Sequence, residues 1–165
     1  MEAYSDGLAI TESVASSEVL MNTKRTGDIT EVETQLAFMK AGYTVLIPYG
    51  DCDPYDLVVD LGDRRFLRVQ CKIARRLPNG TMVVEGKSSH RRNGKFVLHK
   101  YSCDDIDCFA TVVDGNVLLI PISEVDTSIA IRTSETKNGI SKGVHWAKDY
   151  ELLTIIDKLK GLLAQ

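Results

Sequence analysis

Hydrophobic and polar positions alternate in short runs that lie between two longer, helix-like segments. From Ile29 to Ala41, apolar residues recur at Ile29, Val32, Leu36 and Met39, the spacing of one helix face. Thr26-Gly27-Asp28 offers a helix start and Gly42 a C-terminal cap. Tyr43-Thr44-Val45-Leu46-Ile47 is aromatic and β-branched, so it predicts a strand closed by Pro48-Tyr49-Gly50. After the turn Asp53-Pro54-Tyr55, the run Asp56-Leu57-Val58-Val59-Asp60 predicts a second strand. Gly62-Asp63 predicts a tight hairpin turn, with Arg65 to Ile73 returning as its partner. Pro78-Asn79-Gly80 is a further turn, Thr81 to Glu85 a further strand, and the polar, basic stretch Gly86 to Lys95 reads as a loop. Ile106 to Val113 and Val117 to Ile122 predict a second hairpin around Asp114-Gly115-Asn116. Glu151 to Leu163 predicts an amphipathic helix on Leu152, Leu153, Ile155, Ile156, Leu159, Leu162 and Leu163. Helix, about six strands, helix is an α/β (α+β) outline with a mixed central β-sheet flanked by helices.

The length of 165 residues suits one folded domain. Residues 1–22 read as a poorly specified arm, and 23–165 as a single domain. No apolar run approaches the roughly 18 residues of a membrane helix. Met1 to Leu20 lacks the basic start and apolar block of a secretory signal. The expectation is a cytoplasmic protein of a bacterial, phage or archaeal host, neither secreted nor membrane-bound. Cys52, Cys71, Cys103 and Cys108 show no two-residue spacing of the kind zinc sites use, and a domain of this size needs no disulfide framework.

Charge changes the picture through its distribution. The formal net charge is −3, yet 11 of the 20 basic residues lie between Arg64 and Lys100 with one acid, Glu85, a local balance of +10. A field of this size attracts polyanions whatever the total charge.

The candidate chemistry lies on the Asp56–Lys72 hairpin. Side chains alternate along a strand, so Gln70 and Lys72 share a face while Cys71 points away. An antiparallel partner brings Asp56 to their end of the hairpin, provided the register places it on that face. A carboxylate and carbonyl oxygens suit Mg²⁺, a hard cation that keeps several waters. A lysine beside them can stabilise an anionic transition state or help activate water. Glu31 and Glu33 on the first helix could each bring a second carboxylate, and helical rotation leaves both on the flanks of the apolar stripe. Arg75 and Arg76 follow the lysine strand as candidate phosphate clamps. Ser88, Ser89, His90, Arg91, Arg92, Asn93 and Lys95 could line a DNA groove. His90, His99 and His145 match no ligand spacing, and Trp146 reads as a core residue.

These residues resemble a known family. Asp53-Pro54-Tyr55-Asp56, thirteen residues, then Gln70-Cys71-Lys72 is similar to the PD-(D/E)XK nuclease signature, with Gln70 where Glu or Asp is usual. Gly27-Asp28-Ile29-Thr30-Glu31 resembles the first helix of archaeal Holliday-junction resolvases in that superfamily, where a glutamate four residues after a glycine helps bind metal. That resemblance selects Glu31 over Glu33. From about Thr23 to Tyr150 the chain resembles the small PD-(D/E)XK homing endonucleases associated with bacterial group I introns. The stretches that carry this are Thr23 to Asp28, Pro54 to Asp60, Arg68 to Lys72, Ser88 to Lys95 and Gly143 to Tyr150.

The resemblance implies a restriction-endonuclease-like core, double-stranded DNA as substrate, and a homo-oligomer, tetramer or dimer. It also makes Gln70 acceptable at the site. Because a glutamine adds no negative charge, Mg²⁺ (or Mn²⁺ in its place) would rely on Asp56, Glu31 and the Cys71 carbonyl, with Gln70 as a further contact and Lys72 positioning the attacking water. Two rival readings stand beside it. One is a Holliday-junction resolvase or repair nuclease with the same chemistry. The other is a DNA-binding or assembly protein on a nuclease-like fold that no longer cuts, which the missing carboxylate at position 70 favours.

Overall fold

The least polar stretches of the chain, Cys108–Val113 and Val117–Ile120, lie side by side, and Cys108, Phe109, Ala110, Leu118, Leu119 and Ile120 are almost wholly buried. A strand that is apolar on both faces must be covered on both, and the rest of the chain supplies the cover. The computed structural model describes residues 23–50, 52–92, 94–135 and 142–162.

Helix α1 (Thr23–Lys40) leads into β1 (Thr44–Leu46), β2 (Leu57–Gly62) and β3 (Arg65–Cys71). Next come β4 (Arg75–Arg76), β5 (Met82–Glu85), β6 (Lys87–Arg92) and β7 (Lys95–Lys100). The chain continues through β8 (Cys108–Val113), β9 (Asn116–Pro121), β10 (Ser128–Arg132), β11 (His145–Trp146) and helix α2 (Leu152–Leu162). A five-stranded mixed sheet runs β1-β2-β3-β8-β9, antiparallel except where β3 and β8 lie parallel. A second sheet runs β11-β10-β5-β4, and β6 with β7 forms a separate two-stranded ribbon. Met82, Val84, Ile129 and Ile131 of the second sheet join the same buried cluster as the first. The α+β outline with a mixed central sheet is therefore as the sequence predicts. Among the described residues, no helix is long and apolar enough to cross a membrane.

Several local expectations are corrected. Helix α1 does not start at Thr26; it passes through Gly27 from Thr23. Its predicted apolar stripe faces outward, with Ile29, Val32, Leu36 and Met39 all exposed, while Thr30, Thr34 and Phe38 are buried. The threonines reach the interior because each hydroxyl satisfies itself on its own helix. Thr30 Oγ1 donates to the Thr26 carbonyl at 2.9 Å and Thr34 Oγ1 to the Thr30 carbonyl at 2.7 Å.

The stretch from Gly86 to Lys95, expected as a loop, is most of a β-ribbon with full pairing from Lys87↔Lys100 to Arg92↔Lys95. The sequence signal was Asn93-Gly94, a favoured hairpin turn, and Gly94 takes φ +77°. The tight turn of the first hairpin is Asp63-Arg64, both left-handed at φ 54° and 61°, one residue later than expected. Strands β10 and β11 were not anticipated. Trp146 is half-buried, and Tyr150, 4% exposed, fills the core instead. The hairpin at 106–122 is interior, so core packing accounts for its composition. Residues 1–22, Asn93 and Leu163 lie outside the described residues.

Candidate active site

The register of β2 on β3 settles which side chains meet. Leu57 pairs with Val69, and the Asp56 N–H donates to the Val69 carbonyl at 3.0 Å, so Asp56 arrives beside Gln70. Asp56 Oδ2 accepts two short bonds, from Gln70 Nε2 at 2.6 Å and from the Cys71 backbone N–H at 2.6 Å. Gln70 Nε2 also donates to the Cys71 carbonyl at 3.2 Å. The Lys72 N–H donates to the Ala110 carbonyl at 2.8 Å, which holds the end of β3 against β8. Lys72 Nζ stands 3.5 Å from the Tyr101 hydroxyl oxygen. The hairpin thus brings Asp56, Gln70, the Cys71 carbonyl and Lys72 to one end of the sheet.

Burial governs the charges there. It raises the Asp56 carboxyl above its ordinary value, against the opposing pull of the Cys71 N–H, the Gln70 amide and the Lys72 charge. It lowers the Lys72 ammonium, against the opposing pull of Asp56. Each charge is only partly compensated, as expected of a site meant to receive another charged group.

The first helix adds one carboxylate to this end. A cleft of about 360 Å³ is lined by Glu31, Ile47, Pro48, Gly50, Asp53, Tyr55 and Asp56. Glu33 instead lines a larger groove with Leu36, Leu152 and Leu153, which contains no member of the Asp56 cluster. The inward turn of Thr30 and Thr34 sets this rotation. The Thr34 hydroxyl also bonds the Cys71 thiol, whose pKa burial and then Asp56 push up to about 12.

Among the described residues, no three of His, Cys, Asp or Glu gather closely enough to hold a metal. The groups that do gather are a carboxylate and a peptide carbonyl, both hard oxygen donors, with a side-chain amide whose nitrogen is turned to both. Two of those oxygens, Asp56 Oδ2 and the Cys71 carbonyl, face one amide nitrogen between them. That arrangement fits a small divalent cation completed by water better than a zinc cage.

A family model described as PD-(D/E)XK endonuclease matches residues 21–153. The chain belongs to this PD-(D/E)XK endonuclease family. Protein 5.3 of Escherichia phage T7 is 33% identical over 115 residues, 70% of this chain and 93% of the phage protein. The solved structure of a bacterial homing endonuclease, I-Ssp6803I, matches with a TM-score of 0.69 at 23% identity, covering 86% of this chain and 97% of its own. That likeness shows the fold, the restriction-endonuclease-like core of the PD-(D/E)XK endonucleases.

The remaining predicted residues are spread more widely. Arg75 and Arg76 are exposed on β4, where Arg75 lies 3.9 Å from Glu85 and Arg76 pairs with Asp114. Ser88, Ser89, His90, Arg91 and Arg92 lie on β6 and Lys95 on β7, while Asn93 falls outside the described residues. Arg68 is engaged internally, with Nη2 2.9 Å from Asp107 Oδ1 and further bonds to the Cys103 and Asp104 carbonyls. Sequence reasoning missed Tyr101. It comes 29 residues after Lys72, and no spacing rule links the two.

Proposed function

We propose that this PD-(D/E)XK endonuclease is a metal-dependent, site-specific enzyme that hydrolyses phosphodiester bonds in double-stranded DNA, in the manner of a homing endonuclease. The carrying observation is the place of the Gln70 amide nitrogen, 2.6 Å from the Asp56 carboxylate and 3.2 Å from the Cys71 carbonyl. A small donor there occupies the gap between two oxygens that a cation would share. Asp56 and the Cys71 carbonyl would hold Mg²⁺, or Mn²⁺ in its place, with Glu31 and Gln70 joining directly or through water. When bound, the ion supplies Lewis acidity at the scissile phosphate and at the attacking water.

The protein's own groups do the rest. The Cys71 N–H fixes the Asp56 carboxylate from the strand side. Turning the Gln70 amide by half a rotation exchanges its nitrogen for its oxygen, so that it can serve as an oxygen ligand. Lys72 places a positive charge beside the phosphate and orients the water for in-line attack, leaving a 5′-phosphate.

DNA as substrate is supported by the local excess of basic residues and by the β6–β7 ribbon. A two-stranded ribbon fits the major groove, and this one carries Lys87, Ser88, Ser89, His90, Arg91, Arg92 and Lys95. Arg75 and Arg76 can exchange their exposed carboxylate partners for phosphates. Assembly into dimers or tetramers is supported by the outward stripe of α1, where Val32 is 61% and Met39 62% exposed. Runs of large apolar side chains on a surface mark interaction sites more often than chance.

The test is incubation with Mg²⁺ and a plasmid carrying the sequence that flanks the gene. Cutting at one position, abolished by EDTA, is the expected result. Cutting of four-way junctions in preference to duplex would favour a resolvase, and binding without cutting any substrate would favour a non-cleaving DNA-binding protein.

A further inference from the structure

We propose that Tyr101 is a positioning residue for Lys72, its ring face holding the lysine ammonium at the edge of the Asp56 site. This rests on the endonuclease reading above. Lys72 Nζ lies 4.7 Å from the Tyr101 ring centroid, inside the roughly 6 Å over which a ring face attracts a cation. A lysine has a flexible four-carbon stem and a mobile charge, so its position depends on what the ammonium meets. A carboxylate partner would neutralise that charge and draw it away from a phosphate. An aromatic face orients it and leaves it charged.

The ring is itself held from several sides. Tyr101 is 8% exposed. It stands edge-on to Phe109 at 5.4 Å and to His99 at 5.0 Å between centroids. Phe109 is fully buried on β8, directly opposite Gln70 in the parallel pairing with β3. The strand that steadies the tyrosine is therefore the neighbour of the strand that carries Gln70 and leads to Lys72.

The other attachments of Tyr101 lie at the root of the basic ribbon. Its N–H donates to the Gly86 carbonyl at 3.1 Å, and its hydroxyl is hydrogen-bonded to Ser88. Gly86 in turn donates its N–H to the Thr127 carbonyl at 2.9 Å. Tyr101 thus spans from the base of the proposed DNA-contacting ribbon to the proposed catalytic lysine.

Two measurements test this. The first is nuclear magnetic resonance of the metal-free protein with labelled lysine. A ring face over the ammonium shifts the Lys72 ε-methylene protons upfield. Tyr101→Leu should return them to the ordinary lysine position and Tyr101→Phe should keep them shifted. The second is single-turnover cleavage at saturating DNA. Tyr101→Leu should lower the cleavage rate about 2- to 30-fold with the Kd for DNA unchanged within about twofold, and Tyr101→Phe should restore most of the rate.

If Tyr101→Leu does not fold, Tyr101→Met, which fills similar space without a ring face, takes its place. An unshifted Lys72 methylene in the wild type overturns the proposal. So does full-rate cleavage by the ring-deleted variant while Lys72→Ala is dead. A wild type that cuts nothing, with the Lys72 signal shifted as described, would instead refute the endonuclease reading and leave the contact standing.

Discussion

Exchanging one atom group at position 70 is a sharp probe of the site. In Gln70→Glu the amide that donates to Asp56 Oδ2 at 2.6 Å is replaced by a second carboxylate. Without metal, the variant loses a hydrogen bond to a charged group, worth about 1.5–3 kcal/mol. It also gains a like-charge contact of up to about 4 kcal/mol at an effective dielectric near 20. Both side chains are half-buried, so screening trims the total to about 2–4 kcal/mol. For a chain of this size that is a fall in Tm of roughly 5–15 °C.

The pH dependence has a definite sign. Like-charge contact raises the folded-state pKa of the pair above the unfolded value, adding to the burial that already raises Asp56. Stability relative to wild type is then retained below the unfolded carboxylate pKa near 4 and lost as pH rises through the raised folded value. Magnesium should reverse the penalty, since the new carboxylate faces the ion. The assay is thermal melting of both proteins at pH 5 and pH 8, in EDTA and in millimolar Mg²⁺. Equal melting of the two proteins in EDTA at pH 8, or an equal gain from Mg²⁺ in both, would refute the placement of the Gln70 amide between the two oxygens.

Other outcomes follow from the packing. Gly86→Ala should lower stability by about 1–3 kcal/mol, because an added Cβ would lie 2.7 Å from Val125 Cγ1; an unchanged melting curve would contradict this. Iodoacetamide at pH 8 should label exposed Cys52 and Cys103 and spare Cys71 and Cys108, whose thiols burial pushes up to about 12; mass spectrometry of the native protein reads the pattern. The proposed assembly through the outward stripe of α1 predicts that Leu36→Asp lowers the mass seen by light scattering at little cost to Tm. A monomeric wild type, or a mass unchanged by the substitution, would refute that contact.

The meeting of Asp56 with Gln70 was legible in the sequence because its information is local. Asp56 immediately precedes β2, Gln70 lies on β3 and Lys72 immediately follows it, and the two strands are joined by a short turn, so pairing brings them to one end of the hairpin. The α+β outline was legible for a similar reason, since β8 and β9 are continuous apolar runs. The rotation of α1 was not. A hydrophobicity pattern assigns threonine to the surface, whereas here Thr30 and Thr34 bury themselves by bonding their own helix. Without that rotation, Glu31 and Glu33 could not be separated by periodicity, and the cleft shared with Asp56 distinguishes them. The ribbon was hidden because the sequence of β6, Lys87 to Arg92, is wholly polar and basic, which masks the strand pattern that Asn93-Gly94 signals. Tyr101 depends on the long-range path of the chain from β7 to β8, and no local rule reports that.

The most direct test of the central claim is single-turnover cleavage of a cognate DNA duplex by wild type, Asp56→Ala and Lys72→Ala, each checked for folding and for DNA affinity. The account predicts Mg²⁺-dependent cutting to 5′-phosphate ends by wild type, and loss of cutting with DNA binding retained in both variants. Cutting at the wild-type rate by either folded variant would contradict it.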